Sequence, residues 1–303
     1  MQNFFLKLFN KKRYIDERTK KYKNIWHKKY KDLIQPEIKK NSLALQSKKE
    51  ISFLHSGQIG DIINSLALVK KIAESKTCSF YLEVGKPMPK DEKNINKYYS
   101  QYFISEYVSE KLIPLLKNQK FIKKIEIYKN QEIDINLNFF REMNNNFNID
   151  SVRWYFHLTG VHANLNEPYV EADNHKDFKN FVTIMRSGRR QNSLINYKFL
   201  SKYDDVIFLG LRDEYIELKK EISNLQFYDC KNFLELSMIL KNSKVFVGNL
   251  SFGYALAEAL KIPRLLESGA DFPLVYPNGK HGYDFYHQEH FESLFEKLYN
   301  KNN

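Results

Sequence analysis

Residues Ile51 to Ile72 read ISFLHSGQIGDIINSLALVKKI. Ile51-Ser52-Phe53-Leu54 is a short apolar run of strand formers. The polar loop His55-Ser56-Gly57-Gln58-Ile59-Gly60-Asp61 follows. Apolar residues then recur at 59, 62, 63, 66, 69 and 72–73, the i, i+3, i+4 spacing of a helix with one buried face. Strand, glycine-containing loop and helix open a βαβ unit. Gly57 and Gly60 let the backbone turn sharply and approach a ligand, towards which the new helix points its free N–H groups. Asp61 stands where an N-cap carboxylate would. Capping alone is the plain alternative to any chemical role for it.

Working outward, 303 residues suffice for two domains and a substantial core. An aromatic content of 15% and a hydrophobic content of 43% exclude a disordered chain. The two cysteines, Cys78 and Cys230, lack metal-like spacing and read as small buried groups suited to a reducing compartment. No apolar run is long enough for a transmembrane helix. The patch Phe4 to Phe9 is broken by Lys7 and does not make a secretory signal.

The formal charge of +12 is uneven. Residues 1–50 carry 15 Lys/Arg against 5 Asp/Glu, leaving 33 against 31 for the rest. Residues 1–49 therefore read as a basic amphipathic helical arm. Phe4, Phe5, Leu6, Leu8 and Phe9 beside Lys11, Lys12 and Arg13 have the make-up of an interfacial membrane segment. The expected partner of residues 1–31 is an anionic membrane surface, with an arm packed on its own body as the alternative. A nucleic acid is disfavoured because the body is near neutral.

From residue 51 the chain alternates strand and helix signals twice, as a parallel sheet requires. The first series ends near residue 174, with Asn144, Asn145, Asn146 and Asn148 as a polar turn. Asp173 to Asp177 reads as a linker. The second series starts at Phe181 and closes with a strand at Pro263 to Glu267 and a helix at Glu289 to Tyr299. The fold class expected is α/β, with two tandem Rossmann-like domains, 50–174 and 175–303, facing a central cleft.

The segment HSGQIGDIINSLALVKKI resembles the first strand–loop–helix of GT-B glycosyltransferases, in particular the heptosyltransferase-like family nine group. Gly60-Asp61 and Leu66-Ala67-Leu68-Val69 carry the match, with Ala67 where that family has proline. A second segment, Val245 to Pro263 (VFVGNLSFGYALAEALKIP), is similar to the family's donor-site strand–loop–helix. Phe246-Val247-Gly248-Asn249, Ser251, Leu256-Ala257, Ala259-Leu260 and Pro263 fall in register. The likeness covers roughly residues 50–298 in architecture. Three positions depart from the pattern: Leu250 for aspartate, Phe252 for glycine and Ala255 for the donor-contacting histidine.

The resemblance implies a first half for the acceptor and a second half for the donor, with a terminal helix packing back on the first. It implies sugar transfer from a nucleotide-sugar donor to a glycan or lipid-linked acceptor, without metal or other cofactor. Asp61 would be the general base, and Ser56, Gly57, Gln58 and Gly60 the acceptor-side loop. On the donor side, Asn249 and Ser251 follow a strand and precede a helix, where such sheets bind ligands. Arg186, Arg189 and Arg190 occupy an equivalent edge, and a guanidinium suits phosphate; surface solubility is the alternative. Gly210 lies in the next loop, and Glu214 or Glu258 is placed to accept from a ribose or base, or else is simply solvated. The protein would be cytoplasmic, peripheral on the inner face of the membrane. Two other readings stay open: a degenerate protein that binds a nucleotide or glycan without turnover, and a docking protein whose basic arm carries the function.

Overall fold

The computed structural model describes residues 7, 10–89, 101–143, 149–269 and 276–301. The aromatic patch Phe4 to Phe9 and the asparagine tract at 144–148 lie outside the described residues. Helix α1, Lys11–Lys29, opens on Asn10, whose side chain accepts from the backbone N–H of Arg13. One π-helical turn, Tyr30–Ile34, leads directly into α2, Gln35–Ser47. Burial begins at that turn: α1 has no buried residue, whereas Ile34, Asn41 and Ala44 are buried. Asn41 donates to the Leu158 carbonyl at 2.9 Å, fixing α2 to the body.

Two separate parallel sheets follow. The first holds β1 (Glu50–His55), β2 (Thr77–Leu82), β3 (Lys124–Ile127) and β4 (Ile135–Asn136), in the order β3-β2-β1-β4. The second holds β5 (Val182–Met185), β6 (Val206–Phe208), β7 (Gln226–Phe227), β8 (Val245–Asn249), β9 (Arg264–Glu267) and β10 (Gly282–Phe285), in the order β10-β9-β8-β5-β6-β7. The central β8 is buried along its whole length, as expected where both faces of a parallel sheet are covered. β10 is one strand more than the sequence reading finds.

Helix α3 (Ile59–Ala73) follows β1; α4 (Glu106–Lys117) and α5 (Ser151–His157) complete the first half. In the second half come α6 (Arg212–Lys219), α7 (Phe233–Lys241), α8 (Phe252–Leu260) and the terminal α9 (Gln288–Lys301). The sequence reading gives α3 one buried face, yet residues 62–69 are buried all round. The cause is α8, itself buried from Gly253 to Leu260, which covers the side of α3 left open by its own sheet and by α5. Ile62, Ile63, Leu66, Leu68 and Val69 are fully enclosed there, each contributing about 1.5–3 kcal/mol by leaving water. One apolar core thus runs from Ala44 to Leu266 through both halves.

The terminal helix differs from expectation. Its apolar residues Phe291, Leu294, Phe295 and Leu298 join a second core with Tyr197, Phe199 and Phe285. Phe285 and Phe291 stack with centroids 4.0 Å apart. The helix packs on the second sheet instead of returning to the first half, because these aromatic partners surround its apolar face.

Candidate functional site

At the carboxyl end of β1 the chain builds a hydrogen-bonded turn. His55 is the last strand residue and is fully buried. The Gly57 N–H donates to its Nδ1 at 2.9 Å, so the ring proton sits on Nε2, which faces the Tyr155 hydroxyl at 3.1 Å. That hydroxyl donates to the Asp61 carbonyl at 2.9 Å. Burial, and then the nearby Arg141 charge, hold the imidazole well below its usual pKa of 6.5, and the histidine is neutral at pH 7. Ser56 is fixed separately: its N–H and hydroxyl both donate to Asn138 Oδ1 at 2.8 Å.

Helix α3 begins at Ile59 with Gln58 as its N-cap, and no side chain caps it. Asp61 is therefore in the first turn and not at the cap position that its place in the sequence suggests. Arg141 Nη2 lies 3.2 Å from Asp61 Oδ2, and both side chains remain 26% exposed. The guanidinium stacks over the rings of Phe103 and Phe140 at 4.5 and 4.4 Å and also reaches Asn138 Oδ1 at 3.3 Å. Gly57 is required beneath it, since a Cβ there would overlap Arg141 and approach the His55 ring to 2.7 Å. A partly accessible carboxylate beside a fixed cation results.

Gly60 sets this turn against the second half. A Cβ built on it would stand 3.9 Å from Phe252 Cα and 4.0 Å from the Ala255 side chain. The Asp61 turn and the start of α8 are therefore neighbours. The three departures from the family pattern lie here. Ala255 is buried, while Leu250 and Phe252 pack against the shared core, Phe252 with its ring 4.5 Å from that of Phe233.

Of the polar residues expected on the donor side, Arg186 and Asn249 lie at the carboxyl edge of the second sheet and Glu258 at the amino end of β9, and several are bound to neighbouring groups. Arg186 is 4% exposed and forms a two-pronged pair with Glu267 at 2.8 and 3.0 Å. It also donates to the Ile195 carbonyl at 3.1 Å and lies 4.5 Å from the Tyr197 ring. Glu267 takes further bonds from the Tyr197 hydroxyl at 2.8 Å and the Asn192 N–H at 2.5 Å. Asn249, fully buried, exchanges two bonds with the Ser187 backbone at 2.8 and 2.7 Å. Glu258 is not solvated: it is buried and holds Arg264 at 2.5 Å, Lys261 and the Asn278 N–H. Glu214 accepts from the Gly188 N–H at 3.0 Å, with Gly210 beside it.

Other groups differ. Ser251 caps α8, and its buried hydroxyl has no hydrogen-bond partner among the described residues. Arg189 and Arg190 are half-buried in the loop that Asn249 fixes. The site thus gathers Ser56, Gly57, Gln58, Gly60 and Asp61 with Ser251, whereas Arg186, Asn249 and Glu258 serve internal pairs. Sequence reasoning misses Asn138, Arg141 and Tyr155, which reach the loop from 80 to 94 residues away. The one local signal is an arginine directly after Phe139-Phe140, an ionic group in an aromatic run.

No protein-family model matches the sequence, and no curated protein matches it. Solved structures are similar in fold. A glycosyl transferase family 9 structure from Veillonella parvula DSM 2008 is 10% identical with a TM-score of 0.54, over 86% of this chain and 91% of that one. E. coli ADP-heptose lps heptosyltransferase II is 11% identical with a TM-score of 0.55, over 84% and 99%. E. coli heptosyltransferase WaaC with ADP is 10% identical with a TM-score of 0.50, over 82% and 99%. At such identities the likeness is one of architecture: parallel α/β layers in the same arrangement.

Proposed function

We propose that this protein is a glycosyltransferase that moves a sugar from a nucleotide-sugar donor to a glycan or lipid-linked acceptor, without a metal. The observation that carries the reading is the Asp61 carboxylate, partly exposed in the first turn of α3 beside Arg141 and next in the chain to Gly60, which adjoins the first turn of α8. The acceptor hydroxyl loses its proton to Asp61 as its oxygen bonds the anomeric carbon. The bond from that carbon to the nucleoside diphosphate breaks, and the leaving oxygen takes the electron pair. The N-terminus of α8, with the Ser251 hydroxyl, offers donors to the diphosphate. Arg189 and Arg190, half-buried in the loop after β5, add positive charge at the same edge. The first sheet then serves the acceptor and the second the donor, with the boundary near residue 175.

A second reading, a nucleotide or glycan binder without turnover, is favoured by the apolar trio Leu250, Phe252 and Ala255 at the place where a donor would lie. A panel of UDP-, GDP- and ADP-sugars tests both. A donor that raises the melting temperature and is consumed in the presence of acceptor supports the transferase. A donor that stabilises the fold but is neither transferred nor hydrolysed supports the binder. If no nucleotide sugar changes either quantity, both readings fail.

A further inference from the structure

Among the described residues, helix α1 has a face that is left exposed. Ile15, Tyr22 and Trp26 are 49%, 57% and 39% exposed. At 100° per residue the spacings i, i+7 and i+11 bring these three within about 20° of one line. Ile25 extends the face to one side and is also exposed. The stripe runs from Ile15 to Trp26, about 17 Å at 1.5 Å per residue.

Charge surrounds the stripe on both sides. Residues 11–31 hold ten Lys/Arg against two Asp/Glu. Lys11 and Arg18 project along one flank, where Lys29 pairs with Glu142 of the body at 3.4 Å, and Lys12 and Lys23 along the other. Arg18 lies 5.8 Å from the Tyr22 ring, beside the apolar line. Of the two acids, Glu17 points away from it and is paired with Arg13 at 3.1 Å, while Asp16 lies just beyond Lys23 on its flank. No described helix is long and apolar enough to cross a membrane.

We infer that α1 lies flat on an anionic lipid bilayer, with Ile15, Tyr22 and Trp26 in the acyl–headgroup boundary and the flanking lysines and arginines at the headgroups. Tyr and Trp suit that boundary because their rings are apolar and their polar ends stay wet. A second copy of the helix is disfavoured, since two surfaces of net charge +8 would face each other. A nucleic acid would use the cations but leave Ile15 and Ile25 in water. The π-turn at Tyr30–Ile34 is where this surface helix passes into the anchored α2. The inference goes beyond the transferase reading and does not depend on it.

Vesicle sedimentation with the full chain tests this, using phosphatidylcholine vesicles with and without about one third phosphatidylserine. Binding is expected only to the anionic vesicles and is expected to fall with salt. Changing Lys11, Lys12 and Lys23 together to Gln should weaken it about 10²-fold, each cation near such a surface contributing about fivefold. Ile15→Ser with Trp26→Ser should abolish the salt-resistant part. Trp154, the other tryptophan, is buried, so a blue shift of emission on vesicle binding should come from Trp26 and vanish in Trp26→Phe. Equal binding to neutral vesicles, or anionic binding without a shift, overturns the inference. So does concentration-dependent dimerisation lost in Ile15→Ser, or duplex RNA bound in preference to vesicles. Asp61→Asn should bind vesicles as the unchanged protein does, which separates this result from any result on turnover.

Discussion

The loops after β1 and β8 share one plan, strand to loop to buried helix, and use their polar groups in opposite ways. After β1, buried groups hold the backbone: Gly57 on His55, Tyr155 on the Asp61 carbonyl, Asn138 on Ser56. The Asp61 carboxylate is left partly exposed beside Arg141. At the end of β8 and of its neighbour β5, the groups suited to a ligand are themselves the braces, Asn249 on Ser187 and Arg186 on Glu267. The surface there is left to Leu250 and Phe252. A polar residue at a ligand-binding edge serves a ligand only when other residues hold the backbone in its place.

The largest expected effect tests the first loop. Asp61→Asn should lower turnover roughly 10²–10⁴-fold and leave melting almost unchanged, since the turn is held through the Asp61 carbonyl. Unchanged turnover, measured with any donor that the wild type consumes, would end the contrast by making both loops structural.

Next comes the edge of the second sheet, where β5 and β9 end. Arg186→Met leaves Glu267 buried without its cation and should cost about 3–5 kcal/mol in urea unfolding. Adding Glu267→Met should recover most of that loss, because an apolar pair replaces an ionic one without an orphan charge. A stable single variant that loses donor binding would instead make Arg186 a ligand group. A smaller effect is expected from restoring the family residue at the seam. Ala255→His must fit between α8 and Gly60, and overpacking of this kind costs about 1–3 kcal/mol. Gained donor affinity without that loss would show that the seam opens.

The smallest effect is one of pH. His55 is held neutral, so between its lowered pKa and 6.5 the unfolded chain takes up a proton that the folded chain refuses. Its contribution is complete above pH 6.5 and declines as pH falls below that value. His55→Gln should flatten that part of the stability curve in pH-dependent unfolding. An unchanged slope would place its origin elsewhere.

These tests also mark what the sequence makes legible. Both strand–loop–helix units can be read because apolar period and glycine position are local properties, and α9, Gln288–Lys301, covers the helix expected at Glu289 to Tyr299. The braces cannot be read so. His55 meets Tyr155 across 100 residues and Arg186 meets Glu267 across 81, distances at which spacing carries no signal. The polar positions Asn64 and Ser65 look solvent-facing on a helical wheel. They are buried because Asn64 reaches Ser151 at 2.9 Å and Ser65 turns back to the Ile62 carbonyl at 2.7 Å. Strand β10, GYDF, is short and half polar, and is set by its pairing with β9.

The packing of α3 on α8 also has a consequence for the order in which the chain is made. A ribosome releases residues 59–73 almost two hundred residues before residues 252–260. Until then the apolar flank of α3 lacks its natural cover, and the first half must wait with that flank exposed, as in any slow assembly from distant parts. Heat should reveal the same dependence as one cooperative transition, not two, because neither half closes its core alone.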